Sequence, residues 1–375
     1  MIFLVIIKSN EKGYLSMDRI NKKVRSISSS NPSLRKKKKK VIRRKKKSKA
    51  RKRKIIAYSL IFILFSIMSI SGLYALNLLG KIKTTVISKD TNDLGIDNSV
   101  SPSFNNNDII NIALFGLDQH DPNEPSRSDA TMVVTIDKKA DKIKMSSIMR
   151  DSYVNIDGHG KDKLNHAYAF GGPELALKTV NKNYKLNIQD FVSINFSNME
   201  KLIDALGGVE IDVKQAEIEK INYYVRELNS SRNSPPTYMT RAGKQKLNGM
   251  QALGYTRIRD VGNGDFERTD RQRIVLNQLF DNIKETGITK YPSIVSSLLP
   301  LVETSLSKTD IIKLGTDVLS NGKMSIEQER FPLDGYYKDG GEVINNVWYL
   351  PFDEDSTIKQ INEYIFKDKK PEAKK

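Results

Sequence analysis

Beyond residue 80 the chain carries 29 Lys but only 11 Arg, and five of those arginines crowd into one stretch that holds no lysine: Arg257, Arg259, Arg268, Arg271 and Arg273. A guanidinium presents a planar fork that can donate two hydrogen bonds to one phosphate or carboxylate, which an ammonium cannot. Tyr255 to Ile258 reads as a strand, and its period of two would put Arg257 and Arg259 on one face. Asp265 can cap a helix running to about Lys284, on which Arg268, Arg271, Gln272 and Val275 follow an i, i+3, i+4, i+7 stripe. Cations so placed repel one another unless an anion sits between them, and a pyrophosphate would supply it. The competing reading is a salt-bridged surface, because Asp260, Glu267 and Asp270 lie close by.

Upstream, three further charged positions sit where apolar runs end. Ile109 to Phe115 is apolar and leads to Asp118; Arg127-Ser128-Asp129 precedes the run Thr131 to Ile136; Lys142 to Met149 leads to Arg150-Asp151. The last two runs are joined by the polar turn Asp137-Lys138-Lys139-Ala140-Asp141, so the three read as neighbouring strands. Two carboxylates at strand ends can share a hard cation such as Mg²⁺, which prefers oxygen ligands and bridges to phosphates. Turn or cap aspartates are the plain alternative. Strand ends are also where open α/β sheets usually bind ligands.

Those residues need a frame. A helix is expected from Pro173 through Val180, a strand over Phe191 to Phe196 and a helix over Asn198 to Leu206, closed by Gly207-Gly208. The alternating strand Val209 to Val213 follows, and mixed helices and strands imply a layered α/β domain. Residues 214–242 are polar and resemble an insertion or mobile flap, and the charged end 366–375 resembles a disordered tail.

The charge balance separates the two ends of the chain. Residues 1–54 hold 22 Lys or Arg against Glu11 and Asp18, whereas the whole chain nets +18, so the remainder is close to neutral. Ile55 to Leu79 then runs without a formal charge, long enough to cross a ~30 Å hydrocarbon layer. Cations directly before such a span keep the N-terminus in the cytosol, which places the rest outside the cell membrane. The basic tail then sets topology and meets anionic membrane lipid, and no nucleic-acid partner is expected. With no cysteine, disulfides and thiolate catalysis are excluded. The implied order is a basic cytoplasmic tail (1–54), a single transmembrane helix (55–79), a solvated linker (80–107), a globular domain (108–352) and a C-terminal tail (353–375).

Several blocks, in order, resemble the LytR-CpsA-Psr family: Asn111 to Asp118, Arg127-Ser128-Asp129, Ser147 to Asp151, Asp162 to Tyr168 with Gly171-Gly172, Asp204 to Val209, Gly243 to Arg259, and Asp265 to Gln272. The resemblance implies a three-layer α-β-α domain with a central mixed sheet that holds a polyprenyl pyrophosphate. By that likeness Arg150, Lys163, Arg257, Arg259, Arg268, Arg271 and Gln272 would meet the phosphates, and Asp118 and Asp129 would carry Mg²⁺. The isoprenoid chain would lie in an apolar pocket beneath. The implied reaction is phosphotransfer: a glycopolymer such as teichoic acid or capsule passes from the lipid carrier to a hydroxyl of peptidoglycan. Arg150, Asp118, Asp129 and Asp265 would stand at the reacting centre, and any of the three carboxylates could take the proton. His166, by the same likeness, is a structural or pocket-wall residue. Where the family often has Arg two places after the first Asp, this chain has His120, and Met149 replaces a common proline. A non-enzymatic regulator or lipid-binding scaffold, and a pyrophosphatase using water as acceptor, are the other functions the pattern would serve.

Overall fold

The computed structural model describes residues 83–97, 108–119, 125–230, 232, 235–285, 298–320 and 324–374. The basic tail, the expected membrane span and His120 lie outside them. Among the described residues no helix is long and apolar enough to cross a membrane.

In chain order the first half contains β1 (Lys83–Thr84), β2 (Ile109–Leu117), β3 (Ser128–Asp137), β4 (Lys142–Ile148), β5 (Tyr153–Ile156), β6 (Gly160–Lys163), α1 (His166–Tyr184), β7 (Asp190–Asn195), α2 (Phe196–Ala205) and β8 (Val209–Val213). There follow α3 (Gln215–Leu228), β9 (Gly243–Leu247), α4 (Gly249–Arg257), α5 (Gly264–Glu285), β10 (Glu303–Thr304), α6 (Lys308–Ser320), β11 (Ser325–Phe331), β12 (Glu342–Ile344), β13 (Val347–Tyr349) and α7 (Glu354–Lys367). Seven strands form one mixed sheet in the order β1-β10-β7-β2-β3-β4-β11. β3 runs antiparallel to both β2 and β4, whereas β7 runs parallel to β2 and β11 parallel to β4.

Alternation along the strands explains why helices cover both faces. Ala113, Phe115 and Leu117 of β2 and Val133 of β3 point to one side, where Leu177 and Val180 of α1 and Ile361, Tyr364 and Ile365 of α7 bury against them. Ile110, Val134, Ile136, Ile143 and Ile326 point to the other side and meet Phe280 of α5 and Leu314 and Val318 of α6. A separate apolar cluster unites α2, β8, α3, β9 and α4 with Val275 and Leu279 of α5. This is the layered α/β architecture with a mixed central sheet expected from the sequence.

Five local readings are corrected. Tyr255 to Ile258 is not a strand but the end of α4, because Asn248 and Gln251 form a reciprocal cap at its start: Asn248 Oδ1 accepts from the Gln251 N–H at 2.9 Å and Gln251 Oε1 from the Asn248 N–H at 3.0 Å. Asp265 lies inside α5 and does not cap it. Residues 214–242 are no flap over their first half, since α3 buries Ile221 and Val225. The linker assigned to 80–107 is structured over 83–97: β1 pairs with β10, and Ile87, Leu94 and Ile96 enter the core. The segment 353–375 is likewise no tail. It begins with α7, capped by Asp353, whose carboxylate accepts from the Ser356 N–H. The fully buried Lys144 fastens the other end of α7, donating to Asp137 Oδ2 at 2.9 Å and to the Tyr364 carbonyl at 3.0 Å. An ammonium is well placed on the last carbonyls of a helix.

Candidate active site

One edge of the sheet collects the charged positions. Leu117 at the end of β2 pairs with Ser128 at the start of β3, and Thr131 of β3 pairs with Ile148 at the end of β4. Asp118, Asp129 and Arg150 therefore emerge side by side, one strand spacing of about 4.8 Å apart in turn. Met149 holds the third position through its backbone N–H, which donates to the Phe331 carbonyl at 2.9 Å, a bond the family's common proline could not make.

Asp129 is the centre of the cluster. Its Oδ2 accepts from Arg150 Nη1 at 2.8 Å and lies 3.5 Å from Arg268 Nη1 and 3.8 Å from Arg259 Nη2. Its Oδ1 accepts from Asn165 Nδ2 at 3.2 Å. Asp265 Oδ1 forms a second node, 3.2 Å from Arg150 Nη2 and 3.1 Å from Arg268 Nε. Lys163 joins from β6: its Nζ is 2.8 Å from Asp151 Oδ1, and Asp151 Oδ2 is 3.3 Å from Arg150 Nε. Burial pushes the Asp129 carboxyl up, but Arg150, Arg268 and Arg259 outweigh it and hold it below the usual carboxylate range. Burial pulls Arg150 down, and Asp265, Asp129 and Asp151 more than reverse this, so Arg150 stays firmly charged. Arg268 is shifted down, by burial first and by its cationic neighbours Arg150 and Arg259.

A cavity of about 130 Å³ opens on this cluster, lined by Asp118, Asp129, Phe196, Tyr224, Thr256, Arg257, Arg259, Arg268 and Gln272. Six of the expected site residues are thereby brought together. Arg150 and Asp265 stand one contact behind them, and Lys163 reaches the cluster only through Asp151 and Arg150. Arg257 is held between two rings, 5.2 Å from the centroid of Phe196 and 5.3 Å from that of Tyr224, and pairs with Glu227 at 3.2 Å. Its Nη1 is buried and finds no acceptor among the described residues.

Arg271 does not join the site. Its Nε donates to Glu217 at 3.0 Å, Nη1 to the Ile258 carbonyl at 3.1 Å, and Nη2 to the Val261 carbonyl and Glu267 at 2.9 Å each. The helical stripe therefore splits, because residues three and four apart on α5 straddle the boundary between the sheet edge and the second apolar cluster. Arg273 is also elsewhere, paired with Asp270 at 2.5 Å.

Phe196, Tyr224, Thr256 and Asn165 were missed as site residues. Tyr224 sits in the stretch read as a flap, although Ile218, Ile221 and Val225 beside it repeat at helical spacing and could have signalled α3. Asn165 stands within one of the family-like blocks, and no spacing argument marks it.

Across β2 from this cavity lies a larger one of about 650 Å³, with Leu117, Tyr168, Ala169, Ile194, Leu301 and Val302 among its walls, together with polar Ser126, Ser193, Asn195 and Asn198 and the ion pair of Lys83 and Glu303. Its lining is mixed, less uniformly apolar than the sequence led us to expect.

The model of the LytR_cpsA_psr family matches residues 73–365. The chain belongs to the LytR_cpsA_psr family. TagU of Enterococcus faecalis, named a polyisoprenyl-teichoic acid–peptidoglycan teichoic acid transferase, is 34% identical over 244 residues, 64% of this chain and 75% of that protein. The regulatory protein MsrR of Staphylococcus aureus is 33% identical over 237 residues, 62% of this chain and 68% of that one. Among solved structures, TagT bound to LI-WTA has a TM-score of 0.55 at 29% identity, covering 70% of this chain and 91% of that chain. YwtF (TagT) with bound octaprenyl pyrophosphate lipid has a TM-score of 0.51 at 29% identity, covering 69% and 91%. The family likeness read from the sequence blocks, and the mixed-sheet fold it implied, are both met.

Proposed function

We propose that this LytR_cpsA_psr protein transfers a glycopolymer, teichoic acid or a related chain, from a polyprenyl-pyrophosphate carrier to a peptidoglycan hydroxyl. The observation that carries the reading is the meeting of Asp118, Asp129, Arg257, Arg259, Arg268 and Gln272 in one cavity. The names borne by TagU and by the lipid-bound TagT support it. In this reading the acceptor oxygen bonds to the phosphorus that bears the glycan, and that phosphorus parts from the bridging oxygen. The bridging oxygen leaves on polyprenyl phosphate, and the glycan stays joined through a phosphodiester. The chain's part is positioning and charge stabilisation, which dominate catalysis of phosphoryl transfer.

The charge balance of the cluster argues for a cation with the substrate. Arg150, Lys163, Arg259 and Arg268 already face Asp118, Asp129, Asp151 and Asp265, so a pyrophosphate arriving alone would add uncompensated negative charge. Asp118 and Asp129 fit Mg²⁺, being oxygen donors on one cavity wall. No group of three potential ligands occurs among the described residues, so phosphate and water would have to complete the shell of an ion held there. Bound there, Mg²⁺ would neutralise charge on the pyrophosphate. Asp129, held ionised below the usual range, is a poor proton acceptor, and Asp265 is not among the cavity-lining residues. That leaves Asp118, which would take the hydroxyl proton on a carboxylate oxygen not engaged with the ion. The polyprenyl chain would enter the 650 Å³ cavity beyond β2. The domain would work outside the cell membrane, anchored by 55–79.

The test is to incubate the full chain in detergent with a lipid-linked glycan, Mg²⁺ and peptidoglycan oligomers. A glycan–peptidoglycan phosphodiester that disappears with a chelator is expected. Release of phosphate-bearing glycan into water without acceptor would favour a pyrophosphatase, and binding with no turnover would favour the regulatory role that MsrR's name describes.

A further inference from the structure

The β12–β13 hairpin presents aromatic rings beside the charged cluster, and nothing in the phosphate chemistry requires them. Tyr153 of β5 and Tyr349 of β13 pack with centroids 4.7 Å apart, and Trp348 directly precedes Tyr349 on the same strand. Charged groups rim these rings. Lys163 Nζ lies 5.9 Å from the centroids of both Trp348 and Tyr349, and Lys161 Nζ lies 5.6 Å from that of Tyr153. The indole is fixed in place: Nε1 donates to the Gly340 carbonyl at 2.9 Å, and Gly341 packs so tightly that a Cβ there would fall 2.4 Å from Cε2 and Cζ2. Trp348 and Tyr349 are nonetheless only partly buried.

The sheet gives this platform a direction. Along the one edge, β10 and β7 border the larger cavity, β2 and β3 bring Asp118 and Asp129, and β4 brings Arg150. Past Arg150, backbone bonds between Leu350 N–H and the Asp151 carbonyl, and between Tyr153 N–H and the Leu350 carbonyl, stitch the end of the hairpin to the same edge. Lys163 spans the join, since its ammonium both pairs with Asp151 beside Arg150 and faces the two rings. A ligand with its lipid in the large cavity and its phosphates at Asp129 must lead its third part toward Arg150 and beyond.

We propose that Tyr153, Trp348 and Tyr349 form a sugar subsite, taking the pyranose ring nearest the pyrophosphate of the lipid-linked donor. A pyranose has an apolar C–H face suited to an aromatic ring and hydroxyls suited to the rim of Lys161, Asp162 and Lys163. A rigid aromatic anchor with a polar margin is the arrangement that binds amphipathic groups at low entropic cost. The inference rests on the proposed function, because it takes its direction from a pyrophosphate at Asp129.

Trp348 is the chain's single tryptophan, so its fluorescence reports on the platform alone. Full-length protein in detergent micelles with Mg²⁺ is titrated with polyprenyl pyrophosphate bearing one or two sugars, and with the same lipid lacking sugar, while a co-sedimentation assay measures binding of each. We expect both lipids to bind, the sugar-bearing one about tenfold more tightly, and only that one to shift or quench the Trp348 emission. Tyr349→Ala, which keeps the reporter, should remove most of that preference, and Trp348→Phe should retain part of it. Equal affinities with no change in emission would overturn the subsite. So would a response to bare lipid or empty micelles, which would make the hairpin a membrane contact, or to peptidoglycan oligomers alone, which would make it an acceptor site. Failure of either lipid to bind would instead overturn the pyrophosphate reading, and the subsite with it.

Discussion

Arg268 and Arg271 are three residues apart on one helix, are 3% and 2% exposed, and touch carboxylates, yet they are put to different ends. Arg271 donates to two backbone carbonyls and two carboxylates in good geometry, so its guanidinium closes on the protein itself. Arg268 faces a cavity; its Nη2 donates to the Asp129 carbonyl and to Asp265 Oδ2 at 3.2 Å each, but its Nε lies 3.1 Å from Asp265 Oδ1 without forming a hydrogen bond. A fully satisfied buried guanidinium is a structural part. One that is only partly satisfied at a cavity wall still has a donor for a ligand, and a buried N–H without a partner costs free energy that a phosphate oxygen can recover.

The contrast breaks most readily at Arg271. Arg271→Met leaves Glu217 buried without its partner and should lower stability by about 3–5 kcal/mol, read as a fall in the urea midpoint. The double variant with Glu217→Leu should regain most of it, because removing both charges removes the uncompensated one. In both, transfer activity per folded molecule should stay near that of the wild type.

Arg268→Ala should show the opposite profile. Losing a donor to the developing charge is expected to lower kcat by roughly 10²–10³-fold. A loss of stability as large as that of Arg271→Met would erase the distinction.

A smaller effect should follow from loosening Arg257. Replacing Tyr224 with Leu removes one of its two flanking rings and should weaken binding of the lipid donor by about three- to tenfold, measured by co-sedimentation, with little change in kcat. Tyr224→Phe, which keeps the ring face, should restore it.

The smallest effect concerns acidity. Asp129 has a folded pKa below its ordinary value of 3.8, so its stabilising contribution is present above that value and lost as pH falls through the lower folded one. The gap in urea midpoint between wild type and Asp129→Asn should therefore hold steady from pH 7 to about pH 5 and narrow only below about pH 4. A gap that closes between pH 5 and 7 would mean that the three guanidinium groups do not hold the carboxylate ionised.

Much of the frame was legible because each central strand is an apolar run stopped by a polar turn. β8 was read to the residue, and β2, β3, β4 and β7 to within a few positions. Asp118, Asp129 and Arg150 were legible for the same reason, since strand ends in register must lie side by side. What failed was local propensity set against context. Tyr255, Thr256 and Ile258 favour a strand, but the Asn248–Gln251 cap starts a helix that carries them along. The N-terminal segment hid its place in the core because Ile87, Leu94 and Ile96 are spread among polar residues and gain a partner only when α1 is folded. Arg271 could not be told from Arg268 by spacing, because the decision lies with Glu217, 54 positions away.

The most direct test of the central claim compares binding of polyprenyl pyrophosphate and polyprenyl monophosphate, by calorimetry with Mg²⁺, to wild type, Arg268→Ala and the Arg271→Met/Glu217→Leu pair. The diphosphate should bind better than the monophosphate to wild type and to the double variant, and Arg268→Ala should lose this preference by at least about tenfold. An undiminished preference in Arg268→Ala, or an equal loss in the double variant, would contradict it.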